Sequence, residues 1–168
     1  MGFFKPGQTY VAQKAFIFRK DGKFLTMRRT KTAPAHPLTW DLPGGVAEFG
    51  EDPLPAMRRE IREETNLTAG SLRPFDVEAH ASKEGVYWFT VMYAASEIRG
   101  TFKISWEHDL YKWVTLDEFL KLKVPRRLRG FAVRLFEERK KRGGSMANRK
   151  KQRVIPSVLS SRKARSVI

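Results

Sequence analysis

The chain has 168 residues, a length that suits one domain with a complete hydrophobic core. It contains no cysteine, which excludes a disulfide framework, a thiolate metal site and a cysteine nucleophile. No stretch has the apolar length of a membrane-spanning helix or of a signal peptide, so the composition predicts a cytoplasmic protein.

Positive charge is concentrated near the C-terminus. The net charge is +15, but residues 139–168 alone carry eleven Lys or Arg and no acid. The remaining part, 1–138, is therefore only mildly basic, with a net charge of +4 (15 − 11). A run of this kind is typical of a solvated tail or of a segment that binds a polyanion.

Two strands and a turn are predicted first. Residues 10–18 are rich in β-branched and aromatic side chains, and residues 23–29 form a second run of this kind. Asp21-Gly22 between them is a hairpin turn signal. After a polar loop, residues 40–42 predict a short strand that leads into Pro43-Gly44-Gly45.

A helix is predicted to start at Asp52-Pro53, with Asp as N-cap and Pro in the first helical position. Asn66 can end it, because Asn tolerates the left-handed conformation of a C-terminal cap. The apolar face of this helix is predicted to contain Leu54, Met57, Ile61 and Thr65.

The second half predicts strands at 75–79, 86–95, 101–105 and 110–114, and then two helices. The first of these helices opens with a capping box from Thr115 to Glu118. The second carries an apolar stripe from Leu128 to Phe136 and is predicted to end at Gly143-Gly144-Ser145. The pattern predicts an α+β fold, with a domain at 1–142 and a basic, flexible tail at 143–168.

An unusual cluster of charge occupies residues 45–67, which hold five glutamates and three arginines. Helical spacing puts Glu60, Glu63 and Glu64 on one face, where like charges destabilise a helix. Such a cluster is favourable if a divalent cation binds among the carboxylates.

The spacing resembles the Nudix box. Gly45 is followed by Glu51, then by Arg59-Glu60-Ile61, Glu63-Glu64 and an apolar Leu67, and only Asn66 departs from the family pattern, which has glycine there. The resemblance implies a Nudix-type α/β/α sandwich with a mixed sheet. It also implies an enzyme that hydrolyses the pyrophosphate of a nucleoside diphosphate linked to a group X.

The resemblance assigns roles to the residues of the box. Glu60, Glu63 and Glu64, with the carbonyl of Gly45, would hold Mg²⁺ or Mn²⁺, since hard oxygen ligands suit these ions. Arg59, four residues before Glu63, would orient it, and Glu51 would support the cluster.

Two roles are left open by the sequence. The resemblance implies that the general base is either a glutamate of the box or Glu107, which resembles a loop glutamate that serves in some relatives; His108 beside it could also titrate. The family often has a basic residue late in the second strand, so the resemblance also implies that Arg29, which we favour, or Arg28 contacts the substrate phosphate, and Arg suits bidentate phosphate binding.

The substrate is less well specified than the chemistry. Nucleoside di- or triphosphates are favoured, and the alternatives are ADP-ribose, dinucleoside polyphosphates, capped RNA ends bound through the basic tail, or a sensing module that binds nucleotide without cleaving it. The predicted state is a monomer or a homodimer.

Overall fold

A computed structural model of the chain describes residue 5 and residues 7–152, with side chains as far as residue 142. Contacts between residues divide the chain after Leu135 into two compact units. The elements are β1 (Thr9–Ile17), β2 (Phe24–Arg29), β3 (Trp40–Asp41), α1 (Pro53–Thr65), β4 (Thr68–Ala81), β5 (Tyr87–Arg99), β6 (His108–Val114), α2 (Leu116–Lys121) and α3 (Arg126–Gln152).

The strands form two three-stranded sheets. In the first, in the order β1-β5-β4, β1 pairs with β5 in parallel and β4 pairs with β5 in antiparallel. In the second, in the order β3-β2-β6, both pairs are antiparallel. The combination of parallel and antiparallel pairs with three helices confirms the predicted α+β class.

The hairpin prediction is confirmed at the turn and corrected beyond it. Gly22 has φ 84°, and its N–H donates to the carbonyl of Arg19 at 3.1 Å. Only one bridge, between Phe18 and Phe24, connects the two arms. Beyond that bridge β1 pairs with β5 and β2 pairs with β3 and β6, so tertiary pairing replaces the local ladder.

The core lies on both faces of β1. Ala15 and Ile17 pack in one buried cluster with Met57 and Ile61 of α1. On the opposite face, the Phe16 ring contacts other aromatic rings, those of Phe24, Phe75 and Phe119. Helices thus cover the sheets from two sides, as in a sandwich.

Helix α1 begins and ends where the sequence predicts. Asp52 is the N-cap, although its side chain forms no capping hydrogen bond, and Asn66 caps the C-terminus with φ 57°. Leu54, predicted to be in the core, is instead 44% exposed. It lies in the first turn of the helix, and Ala56 is buried in its place beside Met57.

Residues 101–105 form no strand, contrary to the prediction. The N–H groups of Lys103 and Ser105 donate to the carbonyls of Thr65 and Glu64 at 3.0 and 3.1 Å. These are carbonyls of the last turn of α1, which have no partner inside the helix. The segment therefore provides hydrogen-bond donors for the last carbonyls of α1 and joins no sheet.

Helix α2 starts with the predicted capping box, formed by Thr115 and Glu118. Helix α3 runs through Gly143-Gly144 to Gln152, so its predicted end at the glycines is wrong. Good helix formers follow the glycines (Met146, Ala147, Arg149, Lys150 and Lys151). They offset a penalty of about 1 kcal/mol per glycine relative to alanine.

The rest of the predicted tail, 153–168, lies outside the described residues. Among the helices that the structure describes, none is long and apolar enough to cross a membrane.

Candidate active site

Arg59 is the centre of the charged cluster on α1. Its guanidinium donates to both carboxylate oxygens of Glu51 at 3.0 and 2.9 Å. It also donates to Glu60 at 2.9 Å and to Glu63 at 3.1 Å, so the pair predicted from the four-residue spacing is present. Because Glu51 binds in a bidentate manner, the loop before α1 is fixed to the helix at Arg59.

Glu64 lies apart from the other two box glutamates of the helix. Its side chain is buried and accepts a hydrogen bond from the N–H of Gly44 at 2.7 Å, whereas the Glu63 side chain is 58% exposed. Burial raises the pKa of Glu64 to about 8. A nearby divalent cation would favour the ionised form of such a carboxyl.

The turn at Gly44 and Gly45 passes very close to the cluster. A Cβ on Gly45 would lie 2.6 Å from the Cδ of Glu60, and one on Gly44 would lie 2.1 Å from the carbonyl oxygen of Gln13. Gly44 also has φ 137°, which other residues rarely adopt. Gly44 is therefore required by the Gln13 backbone and by its own conformation, whereas a side chain at position 45 would displace the Glu60 carboxylate.

Lys14 and Asp41 hold this turn from the other side, and sequence reasoning missed both. The Lys14 ammonium donates to Asp41 at 2.9 Å and to the carbonyls of Leu42 and Gly44 at 3.0 and 2.8 Å. Burial alone lowers the pKa of Lys14, but Asp41 and Glu64 outweigh it and hold that pKa above its ordinary value. The available signal was a lysine inside an otherwise apolar strand, which needs an acidic partner.

The two candidate phosphate-binding arginines both have protein partners. Arg28 forms a bidentate pair with Asp109 at 2.8 and 2.9 Å. Arg29 donates to the carbonyl of Ala35 at 2.7 Å and lies 3.6 Å from Asp41. Asp41 thus connects Arg29 to Lys14 and to the glycine turn, whereas Arg28 pairs with a residue of β6.

Glu107 lies in a turn from Ser105 to His108, and its backbone carbonyl accepts from Thr30 at 3.0 Å. Within the described residues its carboxylate forms no ion pair. His108 is buried, with Nδ1 3.2 Å from the Ser105 hydroxyl and no hydrogen-bond partner for Nε2. Burial lowers the pKa of His108 to about 4, so the ring is neutral at physiological pH.

Comparison with known proteins identifies the family. The family model described as the NUDIX domain matches residues 9–135, which is more than half of the chain. The chain belongs to the Nudix family. The predicted family and sandwich are confirmed, and the protein is a Nudix pyrophosphohydrolase.

Relatives of this Nudix chain include a MutT-like protein from Streptomyces ambofaciens, 26% identical over 147 residues, with 88% of each chain covered. An RNA pyrophosphohydrolase from Caulobacter vibrioides is 31% identical, covering 65% of this chain and 73% of that one. Among solved structures, the MutT protein of Methanosarcina mazei Go1 has a TM-score of 0.69 and 28% identity, over 83% of this chain and 99% of that one.

The Nudix residues offer a donor set of oxygen atoms only. Carboxylates of Glu60, Glu63 and Glu64 and the carbonyl of Gly45 are the hard ligands that Mg²⁺ or Mn²⁺ takes. The Gly45 carbonyl accepts from the Gln13 N–H at 2.8 Å and keeps a second lone pair. In the part of the chain that the structure describes, no three acidic or histidine side chains are arranged to hold a metal ion, because Glu51, Glu60 and Glu63 are directed at the Arg59 guanidinium instead.

Proposed function

We propose that the protein hydrolyses the pyrophosphate of a nucleoside diphosphate linked to a group X, in a reaction that requires Mg²⁺ or Mn²⁺. Nucleoside di- and triphosphates are the favoured substrates. The observation that carries this proposal is the convergence of Glu51, Glu60 and Glu63 on Arg59, next to a glycine turn that binds Glu64.

Each residue has a role in this proposal. Glu60, Glu63, Glu64 and the Gly45 carbonyl would hold the metal, which supplies charge neutralisation and a more acidic bound water. Arg59 orients Glu60 and Glu63, and the bidentate pair with Glu51 keeps the guanidinium in place.

The general base is one of the box glutamates or Glu107. His108 is not a candidate, because its ring is buried away from solvent and a pKa of about 4 makes it a weak base. Arg29 is the better placed of the two arginines to act on a substrate phosphate, since Asp41 links it to the glycine turn.

Substitution of the two glutamates tests the assignment. We expect Glu63→Gln and Glu64→Gln each to lower kcat by about 10²–10³-fold, since a metal stabilises the transition state by several kcal/mol. Glutamine keeps the side-chain shape, and at position 64 it keeps an acceptor for the Gly44 N–H. Circular dichroism and thermal melting check that both variants fold.

Glu84→Gln, in the loop between β4 and β5, is the matched control and should leave turnover unchanged. The assay uses a panel of nucleotides with Mg²⁺, with Mn²⁺ and with EDTA, and identifies the products. Full activity of both box variants would refute the metal-binding roles, and activity in EDTA would refute the metal requirement.

A further inference from the structure

The turn from Ser105 to His108 presents an exposed tryptophan beside the Nudix helix. The turn is closed by the His108 N–H, which donates to the Ser105 carbonyl at 3.2 Å, and by contact of the Ser105 hydroxyl with His108 Nδ1 at 3.2 Å. Trp106 occupies the tip and is 87% exposed. A single exposed aromatic side chain is common on a protein surface, so the groups around Trp106 decide what it can bind.

The segment before the turn is fixed to the end of α1. Besides the Lys103 and Ser105 amides, the Asn66 side-chain amide donates to the carbonyl of Thr101 at 2.9 Å. These three bonds fix the backbone that leads to Trp106 relative to the end of α1 before any ligand binds. A ligand that stacks on the ring therefore has to order the Trp106 side chain but not the segment that carries it.

A groove of about 700 Å³ lies between the turn and the helix, and it is lined by Arg62, Glu63, Asn66, Lys103, Ser105 and Trp106. Arg62 and Lys103 are exposed, and within the described residues neither forms an ion pair. The groove therefore combines an aromatic face, two cations without acidic partners and one of the proposed metal ligands.

These groups suit one nucleotide unit of a single strand. An aromatic side chain stacks on any base, while Arg and Lys neutralise backbone phosphates. Under the proposed function, the phosphates of a free nucleoside triphosphate would all lie at the proposed metal-binding carboxylates. The cations beyond Glu63 therefore have a phosphate to bind only if the chain of the substrate continues.

We propose that this groove binds the nucleotide that follows the 5′ end of a single-stranded oligonucleotide whose terminal pyrophosphate is cleaved. The proposal rests on the proposed function for its chemistry. It adds a substrate class and assigns base stacking to Trp106 and contact with the internucleotide phosphate to Arg62 and Lys103.

The second exposed aromatic near the box does not suit such a ligand. Phe49 is fully exposed, but among the described residues the adjacent groove is lined by the acidic Glu48 and Glu51 and by no cation. It offers a phosphate no cationic partner of that kind, so the groove at Trp106 is the better site for an oligonucleotide.

Equilibrium binding tests the groove without any chemistry. The full chain is titrated in EDTA with a fluorescently labelled RNA tetranucleotide carrying a 5′-monophosphate, and anisotropy gives the Kd. We expect Trp106→Ala to raise the Kd about tenfold or more, and Trp106→Phe to retain most of the affinity. In the double variant Arg62→Gln/Lys103→Gln, the slope of log K against log salt should fall by about 0.7, because the two cations neutralise one internucleotide phosphate.

Two surface variants are the matched controls. Tyr87→Ala removes an exposed aromatic of β5, and Lys20→Gln removes an exposed cation of the turn between β1 and β2. Neither side chain lines the groove, so both variants should bind the tetranucleotide as the parent chain does.

Kinetics with Mg²⁺ provide the second measurement. For a 5′-triphosphorylated tetranucleotide, Trp106→Ala should lower kcat/KM much more than for GTP. Equal losses for the two substrates would overturn the proposal, since the groove would then take the base of a mononucleotide. An unchanged Kd in EDTA would overturn it as well. Absence of any hydrolysis by the parent chain would instead refute the proposed function, and the binding result would still stand.

Discussion

Two cations organise the acidic residues of the site. Arg59 holds Glu51, Glu60 and Glu63 from the solvent side, while Lys14 holds Asp41 and the glycine turn from the inside. The two cations differ in how their charge depends on the surroundings. Arg59 keeps its charge at any pH and is partly exposed, whereas the Lys14 charge is largely buried and depends on its acidic partner.

We therefore expect Lys14→Met to destabilise the fold by up to about 3–5 kcal/mol, because it leaves the buried Asp41 with only the more distant Arg29, at 3.6 Å, as a charge partner. Urea unfolding measures the change. Asp41→Asn combined with Lys14→Met should cost clearly less than the sum of the single changes, since the two residues interact. Arg28→Gln, which breaks an exposed pair with Asp109, is the control and should change stability little. An unfolding midpoint unchanged by Lys14→Met would contradict this interpretation.

At the scale of elements, the end of α1 connects the carboxylates proposed to bind metal to the Trp106 groove. Residues 101–105 bind the last carbonyls of the helix, and Asn66 adds a side-chain bond to Thr101. Asn66 therefore does more than replace the family glycine. It tolerates the left-handed conformation, and its amide fixes the segment that leads to the turn.

Asn66→Gly and Asn66→Ala separate these two contributions. Glycine removes the backbone cost of the left-handed conformation but loses the bond to Thr101, and each of these effects is about 1 kcal/mol. Its stability should therefore change by less than about 0.5 kcal/mol. Alanine loses the bond and keeps the backbone cost, so it should be destabilising by about 1 kcal/mol. In thermal or urea unfolding, an alanine variant as stable as the parent chain would contradict the role given to the side chain, and equal stability of the two variants would contradict the backbone contribution.

Sequence patterns correctly predicted the features of the structure that depend on residues close together in the chain. The caps of α1 at Asp52 and Asn66, the capping box at Thr115 and the Arg59–Glu63 pair all depend on neighbours along the chain. Residues 101–105 look like a strand in the sequence because Thr101, Phe102 and Ile104 are residue types that favour strands. Their partner is the end of a helix almost 40 residues earlier in the chain, and that partner is fixed only by the tertiary fold.

For the molecule as a whole, the difference between local and tertiary causes explains why the sequence did not predict some residues of the site. Lys14 and Asp41 lie 27 residues apart and meet because β1 and β3 both border the glycine turn. Trp106 is prominent only because the turn at Ser105 projects it from the surface. The box determined the chemistry from sequence, whereas the groups that support it and the groove beside it required the fold.

The basic C-terminal segment allows a prediction for the entire chain. Residues 145–168 carry seven Lys or Arg and no acid, while the NUDIX match ends at residue 135. We propose that the segment adds electrostatic affinity for nucleic acid and takes no part in hydrolysis. Deleting 145–168 should then leave kcat and KM for nucleoside triphosphates unchanged.

The same deletion should weaken RNA binding. It should also lower the slope of log K against log salt by about 0.7 for each phosphate that the segment neutralises in the full chain. Anisotropy with a longer single-stranded RNA at several salt concentrations measures this. Because the Trp106 groove and the segment are independent in this proposal, Trp106→Ala should raise the Kd by the same factor with and without residues 145–168. RNA binding that is unchanged by the deletion at low salt would remove the role of the segment. A loss of GTP hydrolysis would instead place the segment in the active domain.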